Sequence, residues 1–334
     1  MTIVKVIAAM AFLSAGFGAL CQCVDTKLDE QKHSPIGRMV DVGGYKLHMI
    51  DSGKGSPTVV ISPGLGDNSL DWTLVYPEIS KFTRVIVSDR AGYAWSDASP
   101  LPRTSENIVQ ELHRLLKNGN VPGPYILVGH SFGGLSVLLF ASAYPDEVAG
   151  VVLVDSSHED QHEKFKLLDA PPSIFETIED YLLVLRSYFQ RYFGIERFIR
   201  ERAAQKSNPN EKKGMLADDV QHCYLASRMS SKFMNAKRQE FLNWDLSCEQ
   251  IKSNGGVVGD KPLTVITAGK KKVTEDHTQE HKQVWFDLQD DLVTKLPQGK
   301  QIFAEKSGHR INTGQPGIII EAVRELVDEL RIGQ

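Results

Sequence analysis

Four short apolar runs, at residues 58–61, 84–88, 125–128 and 151–155, constrain the fold of this chain more than any other feature. They are rich in Val and Ile and nearly continuous rather than alternating, the pattern of strands buried on both faces of a parallel sheet. Parallel neighbours need crossovers, and helical patterns over residues 105–118 and 133–144 supply them. Residues 39–42 and 45–51 alternate around Gly43-Gly44 and read as a β-hairpin ahead of the first buried run. Strand character returns at 262–268 and 300–305, and a helix over 316–332 closes the chain. The sum is an α/β protein with a mostly parallel eight-stranded sheet flanked by helices. Residues 157 to about 260 contain no strand run and carry amphipathic helical segments at 174–192 and 194–205. The simplest organisation is a core of 38–156 and 261–332, with a helical cap of 157–260 inserted after the sixth strand.

Composition narrows the function classes. The 334 residues are 41% hydrophobic and 24% charged, with a formal net charge of −4. That balance fits one large globular domain with an insert, and argues against nucleic acid as a partner, which calls for a strongly basic face. The N-terminus differs from the rest. Lys5 precedes an apolar run over 6–20, broken only by Ser14, that ends in Ala19-Leu20-Cys21-Gln22-Cys23. A basic residue, a short apolar core and small residues near a cleavage point predict a secretory signal peptide over 1–23 and a secreted or periplasmic protein. The alternative is an uncleaved segment anchoring the chain to a membrane. After residue 20 no stretch approaches the roughly 20 apolar residues that span a bilayer. Cys223 and Cys248 are the candidate pair for a disulfide in an oxidising compartment, a pairing that spacing alone does not decide. No His/Cys spacing suits a metal, and nothing calls for a cofactor.

The chemistry centres on Gly129-His130-Ser131-Phe132-Gly133, a G-x-S-x-G pattern with a strand running in and a helix running out. A sharp strand-to-helix turn exposes the serine hydroxyl and needs small flanking residues, so Ser131 is the candidate nucleophile. Serine is a poor nucleophile until a base takes its proton. His309 follows the last strand and a short turn containing Gly308, which makes it the candidate base. An acid must orient that imidazole and stabilise its cationic form. Asp155 ends the sixth strand and is favoured because a strand tip is rigid. The alternatives, Glu275 or Asp276, lie in the loop beyond Lys270-Lys271-Lys272. Two N–H donors must face the developing oxyanion. Phe132, next to the nucleophile, is one candidate; Leu65, in the loop Ser62-Pro63-Gly64-Leu65-Gly66 after a buried strand, is the other.

Over residues 38–332 the chain resembles the α/β-hydrolase fold superfamily, in its branch with a helical cap. Beyond the nucleophile turn, Asp89-Arg90-Ala91-Gly92-Tyr93-Ala94-Trp95-Ser96 resembles that family's D-R-x-G-x-G-x-S loop, and Gly308-His309 with Pro316 its closing G-H…P segment. The resemblance implies that 157–260 forms a lid over the site, and that the triad runs Ser, acid, His along the chain. Two departures stand out. Pro63 replaces the family's usual oxyanion-loop His, so support for that loop must come from elsewhere. Lysines follow Gly269 where many members carry the acid, which favours Asp155 at the end of the sixth strand, as in a minority of members. A serine nucleophile excludes the alkyl-enzyme chemistry of members that use aspartate. The expected activity is hydrolysis of a small-molecule carboxylic ester through an acyl-enzyme. The alternatives are a peptidase of the proline iminopeptidase type, disfavoured because no acidic cluster would hold a substrate amine, and a non-catalytic small-molecule-binding protein.

Overall fold

The computed structural model describes residues 16–29, 32, 34–168, scattered positions between 182 and 202, and 218–254, 259–269, 278–295 and 299–332. It has eight strands: β1 (Arg38–Asp41), β2 (Lys46–Ser52), β3 (Thr58–Ser62), β4 (Val85–Ser88), β5 (Tyr125–His130), β6 (Val148–Val154), β7 (Leu263–Ala268) and β8 (Gly299–Ala304). They form one sheet in the order β1-β2-β4-β3-β5-β6-β7-β8. β2 runs antiparallel to both of its neighbours, and every pairing from β4 through β8 is parallel. Every residue of β3, β4, β5 and β7 is buried, as their β-branched composition requires of strands covered on both faces.

Two apolar layers do the covering. On one face lie α1 (Ser105–Asn118) and α2 (Phe132–Ala143). Helix α1 is amphipathic. Ile108, Val109, Leu112, Leu115 and Leu116 fall on one stripe against the core, Thr104 caps the start by accepting from the Asn107 amide, and Gly119 ends the helix. Helix α2 is apolar nearly all round and buried from Phe132 to Ala141. On the other face Ile319, Ala322, Val323, Leu326 and Val327 of the closing helix (Pro316–Ile332) pack with Trp72, Val75 and Ile79.

The chain divides into two compact units. The sheet-bearing unit comprises Pro35–Asp169 and Asn235–Gln334; the other comprises Met1–Ser34 and Ala170–Met234. Within the stretch 157–260, α3 (Gln161–Lys166) and α6 (Trp244–Ser253) therefore belong with the sheet. Between them in sequence come α4 (Asp218–Met229), part of the second unit, and α5 (Ser231–Leu242), whose residues from Asn235 onward belong with the sheet. The helical segments expected at 174–192 and 194–205 fall largely outside the described residues. In the second unit, residues 16–29 are helical. There the Gln22 side chain donates to the Met229 carbonyl at 2.7 Å and accepts from Arg197 at 3.1 Å, and Arg197 pairs with Asp29 at 2.6 Å. No described helix is long and apolar enough to cross a membrane.

Among the described residues there is no disulfide. Burial pushes the Cys248 thiol up to about 12. It is protonated at neutral pH, so iodoacetamide should leave Cys248 unalkylated in the folded protein and modify it after denaturation, as read by peptide mass spectrometry. The turn into α2 is tightly packed. A Cβ on Gly133 would stand 2.1 Å from the Ser62 carbonyl oxygen and 2.6 Å from that of Pro63. Both obstacles are backbone, so Gly133→Ala should lower stability by about 1–3 kcal/mol, measured as a shifted urea midpoint.

Candidate active site

Ser131 sits at the junction of β5 and α2 with φ +51° and ψ −125°, in the left-handed region that L-residues avoid. The strain is held by hydrogen bonds to neighbouring segments. Its N–H donates to the Val154 carbonyl at 3.2 Å, and its carbonyl accepts from Gly134 at 2.8 Å and Ser157 at 3.1 Å. Asp155, one step beyond β6, likewise has a positive φ, +40°. Its amide donates to the Ile266 carbonyl of β7 at 2.7 Å. The turns that carry Ser131 and Asp155 are thus tied to one another and to the adjacent strand.

The Asp155 carboxylate is fully buried. Oδ2 accepts from His309 Nδ1 at 2.7 Å, while Oδ1 accepts from the Ala268 amide and from Trp285 Nε1, both at 3.0 Å. Charge-assisted bonds to a buried carboxylate are strong and directional, and the first of these fixes the imidazole with Nδ1 protonated and Nε2 turned away from the acid. Trp285 belongs to α7 (Gln279–Thr294), and its indole stands edge-on to the His309 ring at 6.0 Å. His309 lies in the turn after β8 and is about two-fifths exposed. The Nε2–H of buried His130 donates to the His309 backbone carbonyl at 2.9 Å, and Arg310 pairs with Asp67 at 2.8 Å, so the loop that carries His309 is held from both sides. Glu275 and Asp276, the alternative acids, lie outside the described residues.

Ser131, His309 and Leu65 line one cavity of about 310 Å³. Its walls are largely aromatic, with Phe165 from α3, Trp244 from α6 and Trp285 from α7. Phe132 opens α2, where the helix offers its amide no acceptor one turn back. In the facing loop the amides of Gly66 and Asp67 are used, by the Tyr93 hydroxyl at 3.3 Å and the Gly64 carbonyl at 3.0 Å. No acceptor among the described residues takes the amide of Leu65 just before them. Gly64 permits this approach, since a Cβ there would stand 2.8 Å from His130 Nδ1 and 3.2 Å from Ser131 Cβ. Among the described residues no group of His, Cys, Asp or Glu side chains is placed to hold a metal.

The support that Pro63 cannot give comes from Arg90. Its guanidinium donates to the carbonyls of Pro63 and, at 2.8 Å, of Gly64, and it holds Glu240 of α5 through two further bonds of 2.7 and 3.1 Å. The Tyr93 hydroxyl donates to Glu240 at 2.6 Å. All three side chains are buried. Burial and the neighbouring Glu240 carboxylate hold the Tyr93 hydroxyl well above its ordinary range, so it stays protonated and able to donate.

The structure brings Ser131, His309 and Leu65, all singled out in the sequence, to one cavity and bonds Asp155 to His309; sequence reasoning did not single out Trp285, Glu240 or His130. Arg90 and Tyr93 were visible only as part of a loop motif, and Glu240 carries no local signal, because its partners lie about 150 positions away.

The residues 57–206 match the α/β-hydrolase fold family. A Bacillus subtilis protein, the uncharacterized YbdG, is 29% identical over 221 residues, which cover 65% of this chain. The match spans 61% of that protein's length. An AB hydrolase superfamily protein of Gibberella zeae is 23% identical over 288 residues, covering 82% of this chain and 87% of its own. Among solved structures, an esterase of Thermogutta terrifontis superposes with a TM-score of 0.58 at 19% identity, covering 87% of this chain and 98% of its own.

Removing Glu240 would strand the Arg90 charge beneath the Pro63-Gly64 loop. Glu240→Ala is expected to cost about 3–5 kcal/mol in urea unfolding, the usual penalty for breaking a buried ion pair from one side.

Proposed function

We propose that the chain is an α/β-hydrolase, in line with the family match over residues 57–206, and that it acts as a serine hydrolase cleaving carboxylic esters through an acyl-enzyme. The observation that carries this reading is the Asp155–His309 hydrogen bond of 2.7 Å at the edge of a cavity that Ser131 also lines. In this mechanism His309 Nε2 takes the Ser131 proton as Oγ attacks the ester carbonyl, and Asp155 stabilises the imidazolium that forms. The amides of Leu65 and Phe132 receive the developing oxyanion. His309 then returns the proton to the departing alcohol, and a water activated the same way releases the acid and frees Ser131. The buried setting of Asp155 supports its role as the acid: three N–H donors stabilise its anionic form and aim it at one nitrogen of His309.

An ester is favoured over the N-terminus of a peptide. No carboxylate is among the residues lining the cavity, so nothing described there would hold a substrate ammonium. Residues 157–260 would act as the lid, with Phe165 and Trp244 as its contribution to the acyl site, and the N-terminal segment would direct the protein out of the cytoplasm.

A fluorophosphonate probe should label the protein at Ser131, and Ser131→Ala should abolish labelling; labelling that persists in the variant would sink the assignment. Asp155→Asn should lower kcat on p-nitrophenyl acetate by about 10⁴-fold, the effect of the same change in a serine-protease triad. Near-normal activity would move the acid elsewhere.

A further inference from the structure

The cavity that holds Ser131 carries one formal charge among its described lining residues, the ammonium of Lys282, and that charge has no acidic partner among the described residues. Lys282 lies in the first turn of α7, where its amide donates to the Thr278 carbonyl at 3.1 Å. Its ammonium stands 5.8 Å from the Phe286 ring centroid. Thr278 and His281 line the same wall and hydrogen-bond to each other, Oγ1 to Nδ1 at 3.0 Å. The N-terminal end of α7 adds its own positive potential. The remaining lining residues are the apolar Leu65, Phe165, Trp244 and Trp285 and polar but uncharged side chains, so the ammonium faces no competing formal charge there and attracts an anion while repelling a cation. The two halves of the cavity therefore ask for different things: an acyl carbonyl at Ser131 and a negative group at Lys282.

We propose that the substrate is an ester bearing a carboxylate of its own, the monoester of a short dicarboxylic acid, and that Lys282 is the residue that selects it. This inference rests on the ester-hydrolase reading above. Lys282 pairs with the free carboxylate while Ser131 attacks the ester carbonyl at the other end of the acyl chain. The cavity, at about 310 Å³, suits a short chain. Water adds, the alcohol leaves, and the products are the dicarboxylate, the alcohol and one proton.

The test compares p-nitrophenyl hemiglutarate with its methyl ester, which has the same length and no charge. The wild-type protein should favour the hemiester in kcat/KM by about tenfold, the scale of one hydrogen-bonded charge pair. Lys282→Met should erase that ratio, and Lys282→Glu should invert it. A second measurement needs no turnover. Calorimetry should show monomethyl glutarate binding to Ser131→Ala protein, and at least tenfold weaker binding when Lys282→Met is added. If neither ester is hydrolysed and no fluorophosphonate labels the protein, the hydrolase reading fails, while calorimetry still decides the carboxylate site. A hemiester preference at or below one, a ratio that Lys282→Met leaves intact, or equal binding by both proteins overturns the proposal.

Discussion

The buried carboxylate of Asp155 is the interaction on which the rest of the site depends. A bare carboxylate in a protein interior is costly, and it persists only where donors replace the water it has lost. Here the donors come from three separate elements: the Ala268 amide at the end of β7, the Trp285 indole of α7 and the His309 imidazole after β8. Each bond stabilises the charge and each fixes the position of its donor. The same contacts therefore satisfy the buried Asp155 carboxylate and set the position and tautomer of His309.

A second buried charge does comparable work on the other side of the cavity. Arg90 binds the loop of Pro63 and Gly64 by its carbonyls and is neutralised by Glu240. Holding a loop by its carbonyl oxygens leaves its amides available, which is what a donor to a developing oxyanion requires. The loop is thus positioned from beneath by a guanidinium rather than by a neighbouring histidine side chain. Because Glu240 sits on α5, a helix of the stretch between β6 and β7, the position of the Leu65 amide is tied to that stretch as well as to the sheet.

Backbone strain recurs at two neighbouring points of the site. Ser131 and Asp155 each adopt a positive φ, at the ends of adjacent strands β5 and β6. The backbone bonds from Ser131 to Val154 and from Asp155 to Ile266 hold these conformations in place. Strained backbone of this kind persists where its surroundings over-determine it, and here those surroundings are parallel strands buried on both faces.

The sequence alone determined the α/β class, the eight strands and the closing helix, because a strand covered on both faces must be apolar along its length and a half-covered helix must carry a stripe. It also singled out Ser131, Phe132 and His309 as candidates, since the G-x-S-x-G turn and a His after the last strand are written in contiguous residues, and it pointed to Asp155 and Leu65 from their places at strand ends. Only the tertiary structure decided what surrounds them. Trp285 reaches Asp155 across 130 positions, Glu240 reaches Arg90 across 150, and His130 reaches the His309 carbonyl across 179. Such pairs leave no periodicity or motif in the chain, because hydrogen bonds depend on distance in space and on excluded water, neither of which spacing in sequence records.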